Sequence, residues 1–146
     1  RRDSDITYAT DPRRDQRAAL WALRAYRFGV VRGYANTAVF DRADFLLKEK
    51  VTTDALNLKK LAFGRVDLIV IDQYVADYLL RTELNEYADQ LMFLEPALEM
   101  KTLHVAFSRA HPHAHEWRAA FNRGLASMRA DGSLKRFIRS TPLSAR

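Results

Sequence analysis

Asp72 closes the apolar run Leu68-Ile69-Val70-Ile71, and an acid at the carboxyl end of a buried strand stands at a sheet edge, where it can hold an ammonium group. Gly33 ends a second apolar run, Phe28-Gly29-Val30-Val31, and is followed by Tyr34, Ala35 and Asn36. A glycine loop leading into a helix offers backbone N–H groups at the positive end of a helix dipole, which suits a carboxylate. Together the two features suit a zwitterion such as an amino acid. A plainer reading stands beside this one: Gly33 permits a turn, and Asp72 caps the helix that starts at Gln73.

Other reactive residues carry less. His111-Pro112-His113-Ala114-His115 looks like a metal cluster, but its histidines are two apart, Pro112 constrains the backbone, and Glu116 is the one acid nearby. It reads as a solvated loop at a helix start, with no metal or cofactor implied. His104 falls in an expected strand and faces an interface or solvent. Ser108 and Ser127 lack a glycine elbow, and there is no glycine-lysine phosphate loop, so no activated nucleophile is expected and the chain does not read as an enzyme.

These candidates need elements to position them. A short helical pattern starts at Asp15 with Leu20 and Leu23 on one side, and the strand Phe28 to Val31 follows. Asn36 or Thr37 can cap the next helix, through Phe40. Lys50-Val51-Thr52 is a weak strand. Thr53 or Asp54 then caps a helix with Ala55, Leu58, Leu61 and Ala62 inward, and Gly64 suits the position just past its end. Asp67 to Ile71 is apolar on both faces after its first residue, as a central parallel strand is. The helix from about Gln73 to Arg81 is expected to bury Val75, Tyr78 and Leu79. Further strands are expected at Leu91 to Leu94 and Leu103 to Phe107. Trp117, Phe121, Leu125 and Met128 recur at helical spacing and read as packing, and Asp131-Gly132 turns into a short helix over Leu134 to Ile138.

Strands alternating with helices predict an α/β fold with a mainly parallel sheet flanked by helices. In such sheets ligands bind outside the carboxyl ends of the strands at a topological switch point, and the loops after Gly33 and Ile71 leave such ends. With 146 residues and 48% apolar content, one domain with a core is expected. Cysteine is absent. No run approaches the ~18 apolar residues that span a bilayer, and Arg1-Arg2-Asp3-Ser4-Asp5 is not followed by a signal-type core. The net charge of +6 is spread among helical patterns, without a recognised nucleic-acid motif, and nucleic-acid binding is not expected.

The order of four segments carries a resemblance: Phe28-Gly29-Val30-Val31-Arg32-Gly33-Tyr34, then Asn57 to Asp67, then Leu103 to Ser108, then Phe121-Asn122-Arg123-Gly124-Leu125 with Asp131-Gly132. From about Leu20 to Ile138 the chain resembles bacterial extracellular solute-binding protein family 3, the periplasmic polar amino-acid receptors of ABC transporters. The resemblance implies one lobe of a periplasmic-binding-protein (Venus-flytrap) fold: residues 1–19 an N-terminal arm or first-lobe remnant, 20–103 the second α/β lobe, and 104–146 a crossover strand and C-terminal helices that return to the first lobe. It implies a non-catalytic receptor for a small polar or amino-acid-like ligand, in the periplasm or outside the cell, serving the membrane permease of an ABC transporter. Asp72 matches the acid for the ligand ammonium, and Gly33, Tyr34, Ala35 and Asn36 match the carboxylate-binding turn, with Tyr34 and Ala35 where the receptors carry small hydroxyl residues. A ligand-sensing input domain of a membrane signalling protein is the alternative. With the first lobe lacking, Trp117 and Phe121 are expected to face outward and favour self-association.

Overall fold

The computed structural model describes residues 4–140; Arg1 to Asp3, at the start of the expected arm, and residues 141–146, at the end of the expected C-terminal segment, lie outside the described residues. The chain forms two compact units, one running to Met100 and the other starting at Lys101.

In the first unit, side chains set the start of each helix. Asp15 accepts from the Ala18 amide at 2.9 Å and opens α1 (Gln16–Ala22). Thr37 accepts from Phe40 at 3.0 Å and opens α2 (Ala38–Asp41), and Thr53 accepts from Leu56 at 3.2 Å and opens α3 (Asp54–Ala62). Asp72 opens α4 (Gln73–Thr82). Each such cap contributes about 1 kcal/mol by satisfying an amide that the first helical turn leaves unpaired. Gly64, at φ +66°, ends α3 in the left-handed conformation expected there.

Three strands, β1 (Arg27–Val31), β2 (Leu47–Val51) and β3 (Leu68–Ile69), form an all-parallel sheet in the order β2-β1-β3. The expected α/β class with a parallel sheet flanked by helices is what the molecule shows. β1 pairs with β2 along its whole length, while β3 pairs through Leu68 and Ile69 alone, shorter than the run Asp67 to Ile71 had suggested.

The pleat divides the apolar residues between two faces. Phe28 and Val30, with Leu68 and Val70 beside them, pack under Leu20, Leu23, Phe40, Ala43 and Leu46. On the other face Ile69 and Ile71 meet Leu58, Leu61, Val66, Leu80 and Leu84. Helices α1 and α2 therefore cover one face, and α3 and α4 cover the other. Full burial of a side chain such as Phe40 or Leu20 contributes roughly 1.5–3 kcal/mol. Ile6 and Tyr8, from the N-terminal stretch, also pack against the first cluster.

Several expectations are corrected. The residues that α4 buries are Ala76, Asp77 and Leu80, while Val75 and Tyr78 are exposed and Leu79 is half-buried. The helix carries two apolar stripes one residue apart, and the buried one continues through Leu84 into the second cluster. No strand forms at Leu91 to Leu94. A 3-10 helix (Asn85–Gln90) precedes it, after which Leu91 enters the second cluster and Leu94 packs on the first, so these side chains are used while their backbone joins no ladder. No strand forms at Leu103 to Phe107 either, where all but Phe107 are exposed. Alternation alone does not make a strand, because the ladder needs a neighbour to receive its N–H and C=O groups.

The second unit contains α5 (Ala114–Ala130) and α6 (Ser133–Ser140), joined through Gly132 at φ +71°. Asp131 accepts from the Ser133 amide at 2.8 Å and so sets the start of α6. None of the residues of α5 is buried. Trp117 and Phe121, read as packing from their spacing, are 48% and 42% exposed. Helical spacing defines a face, but a face is buried only where another element covers it. No helix among the described residues is long and apolar enough to cross a membrane.

Candidate functional site

The site is built from the carboxyl ends of the strands. Because β1 and β3 are parallel neighbours, the Gly33 loop and Asp72 leave the same edge of the sheet side by side. The chain from β1 runs to α2 on one face, and the chain from β3 runs to α4 on the other. Connections that diverge to opposite faces leave a crevice between adjacent strand ends, and the order β2-β1-β3 puts this switch point between β1 and β3.

The Gly33 loop is a tight turn. Tyr34 donates its amide to the Val31 carbonyl at 3.2 Å, and Gly33 adopts φ +84°, a conformation a side chain would strain although no atom crowds the position. Further along, the Asn36 amide donates to Asp41 Oδ2 and its side-chain Nδ2 donates to Asp41 Oδ1, both at 3.0 Å. Two of the amides expected to meet a ligand carboxylate are thus engaged within the chain, one of them by a carboxylate. Ala35 is exposed on the same loop.

Asp72 is exposed and accepts from the amides of Tyr74 at 2.8 Å and Val75 at 3.1 Å, both on Oδ1. It therefore occupies the rim position that the sequence indicated and also caps α4. The two roles are compatible, since both capping amides bond to Oδ1 and the side chain still lies exposed at the strand end.

Asp54, which the sequence reading weighed as a cap, is part of this rim. It follows β2, and its Oδ2 accepts from the Tyr34 hydroxyl at 3.0 Å, while Oδ1 is buried without a hydrogen-bond partner among the described residues. The bond ties the β1 loop to the start of α3. It also raises the Tyr34 phenol above its usual range, because the hydrogen bond to Asp54 and then that carboxylate's charge both favour the protonated form. One turn on, Asn57 is fully buried, and neither its Oδ1 nor its Nδ2 has a hydrogen-bond partner among the described residues. Its signal in the sequence is a polar pair at i and i+3, Asp54 and Asn57, on the side of α3 that also carries Leu58 and Leu61. Asp77 is a further buried acid, on α4, whose Oδ1 has no hydrogen-bond partner among the described residues.

Asp54, bonded to the Tyr34 hydroxyl, and Asp72 thus leave the same edge of the sheet, with β1 between them. Such a set accepts hydrogen bonds from a cationic group and is poorly suited to an anion. In the second unit His111 stacks on Trp117 with centroids 4.0 Å apart, and His113 approaches Glu116 at 3.3 Å. His104 is exposed, with its Nε2 2.9 Å from the Thr102 hydroxyl. Among the described residues no three His, Asp or Glu side chains come together as a metal-ligand group. Comparison with protein-family models, curated proteins and solved structures gives no match.

Proposed function

We propose that this chain is one lobe, with C-terminal helices, of a non-catalytic periplasmic solute-binding protein of the kind that family 3 represents. It takes the ammonium end of a small polar or amino-acid-like ligand and serves uptake through the permease of an ABC transporter. The observation that carries this reading is the acid at the switch point: Asp72 leaves β3 beside the β1 loop, where connections to opposite faces open a crevice. Asp54 and Tyr34, bonded to each other at 3.0 Å, add a second acceptor to the same rim.

In this reading the lobe holds the positive end of the ligand and not its carboxylate. With the Tyr34 and Asn36 amides already donating within the chain, the rim favours a positive group over a carboxylate. A single lobe covers part of a ligand, and affinity in a cleft depends on burying most of it, so binding to this chain alone is weak.

The test is calorimetric titration of zwitterionic and cationic amino acids, and of matched acids lacking the amine, into the protein and its Asp72→Asn variant. Selective uptake of the amine-bearing compounds, lost in Asp72→Asn, supports the reading. Equal behaviour of both proteins toward all compounds sinks it.

A further inference from the structure

The polar side chains buried in the first unit differ in how they are bonded. Thr37, on the side of α1 and α2, donates to Gln16 Oε1 at 2.6 Å and accepts from the Phe40 amide at 3.0 Å. On the side of α3, Asn57 is fully buried, and neither its Oδ1 nor its Nδ2 has a hydrogen-bond partner among the described residues; the same holds for the buried Oδ1 of Asp54. Burying a polar group without a bond is costly, and in folded proteins most such groups are bonded to protein or to ordered water. An apolar side chain in place of Asn57 would extend the cluster of Leu58 and Leu61 without that cost.

The two side chains are one helical turn apart. α3 starts at the carboxyl end of β2 and packs on β1, so Asp54 stands at the rim and Asn57 lies about 4.5 Å further in along the helix axis. On a helix, residues three apart have Cβ atoms separated by about 5–6 Å, a gap that one water spans with a hydrogen bond to each side. Asn57 Oδ1 lies 2.0 Å from the place of a Cβ on Gly29, so it is seated against the middle of β1 and Nδ2 remains as the donor. Asp54 Oδ2 is taken by the Tyr34 hydroxyl, and Oδ1 remains as the acceptor.

We infer that one ordered water joins Asn57 Nδ2 to Asp54 Oδ1, and that Asn57 acts through it as a positioning residue of the rim. Its consequence for function rests on the receptor reading, in which Asp54 is an acceptor at the rim. The water fixes one oxygen of Asp54 from below, which aims the other at Tyr34 and holds the β1 loop against the start of α3. An enclosed site with a donor amide and a carboxylate has the polar partners that an internal water needs. A ligand ammonium does not compete for this place, because Asp54 Oδ1 is buried.

The test uses the whole chain and needs no ligand. Nuclear magnetic resonance should show magnetisation transfer from water to the Asn57 side-chain amide protons, with the sign that marks a long-lived contact, and Asp54→Ala should abolish it. In Asn57→Leu, and in Asn57→Ala if the first does not fold, the Tyr34 phenolate midpoint should fall toward the usual 10.0, because Asp54 is no longer held. Tyr34→Phe identifies that transition, and a role in packing alone would leave it unmoved in a folded variant. Absent transfer in the parent protein, transfer that persists in Asp54→Ala, or an unmoved midpoint would overturn the inference. None of these outcomes bears on the amine selectivity of Asp72, so the receptor reading stands or falls separately. Should no variant fold, the transfer in the parent protein decides alone.

Discussion

A Cβ placed on Gly29 would lie 2.0 Å from Oδ1 of Asn57, and 3.1 Å from the Ile69 side chain. Gly29 is the middle residue of the central strand, and its φ is not in the left-handed region, so glycine is required here by space and not by backbone conformation. The missing side chain lets α3 lie close on the sheet with Asn57 fully buried between them.

Gly29→Ala is therefore expected to destabilise the first unit by about 1–3 kcal/mol, as overpacking does. In an Asn57→Ala background the same substitution should cost much less, because the clashing amide is gone. Urea denaturation of both single variants and the double variant measures the coupling, and purely additive losses would contradict it.

At the opposite end of β1, Arg27 and Asp67 form a two-pronged pair. Arg27 Nε donates to Asp67 Oδ2 at 3.0 Å and Nη2 to Oδ1 at 2.9 Å, while the Arg27 amide donates to Oδ2 at 2.8 Å. The hydrogen bond from the guanidinium holds the Asp67 carboxyl below its usual value of 3.8, against the opposing effect of burial. A lowered folded-state value means stability that is present above the unfolded value and lost as pH falls through the folded one. Asp67→Asn should flatten the acid limb of the stability profile below about pH 4 and cost on the order of 1 kcal/mol at neutral pH, since both partners are partly exposed. An unchanged acid limb would show that other carboxylates govern it.

Asp72 tests capping against charge. Asp72→Ala removes the acceptor for Tyr74 and Val75 and should lower stability by about 1 kcal/mol. Asp72→Asn keeps a good capping side chain and should retain most of that stability while removing the charge that an ammonium needs. Thermal melts of the two variants without ligand separate the roles; equal losses in both would show that the carboxylate's charge, and not its cap geometry, holds α4.

Tyr34 and Asp54 give a spectroscopic readout on the rim. With the phenol value raised by the Asp54 hydrogen bond, the bond's contribution is present below the usual tyrosine value of 10.0 and is lost as pH rises through the folded value. Ultraviolet titration of phenolate should show one tyrosine midpoint move down in Asp54→Asn, and that transition should vanish in Tyr34→Phe. A titration curve identical in Asp54→Asn would remove the bond from consideration.

Much of the first unit was legible because its signals are local. Thr37, Thr53, Gly33 and Gly64 declare helix starts and turns by their own hydrogen-bonding and backbone preferences, and the apolar runs at Phe28 and Leu68 declare buried strands. The rim was legible in part, since strand ends follow from the runs, but Asp54 and Asn57 show in the sequence only as a polar pair one turn apart beside Leu58 and Leu61, which does not tell what the pair faces. The two stripes of α4 show the same limit, because Val75 and Ala76 begin equally helical patterns.

The sequence by itself determined where chain elements begin, their alternating order, and hence the α/β class with a parallel sheet. Tertiary structure decided what covers what. It buried Ala76 and Leu80 in place of Val75 and Tyr78, left Leu91 and Leu103 without ladders, bonded Tyr34 to Asp54 across two loops, and left Trp117 and Phe121 open. The physical reason is that caps, turns and periodicity act over a few residues, whereas burial and strand pairing depend on surfaces supplied by distant parts of the chain.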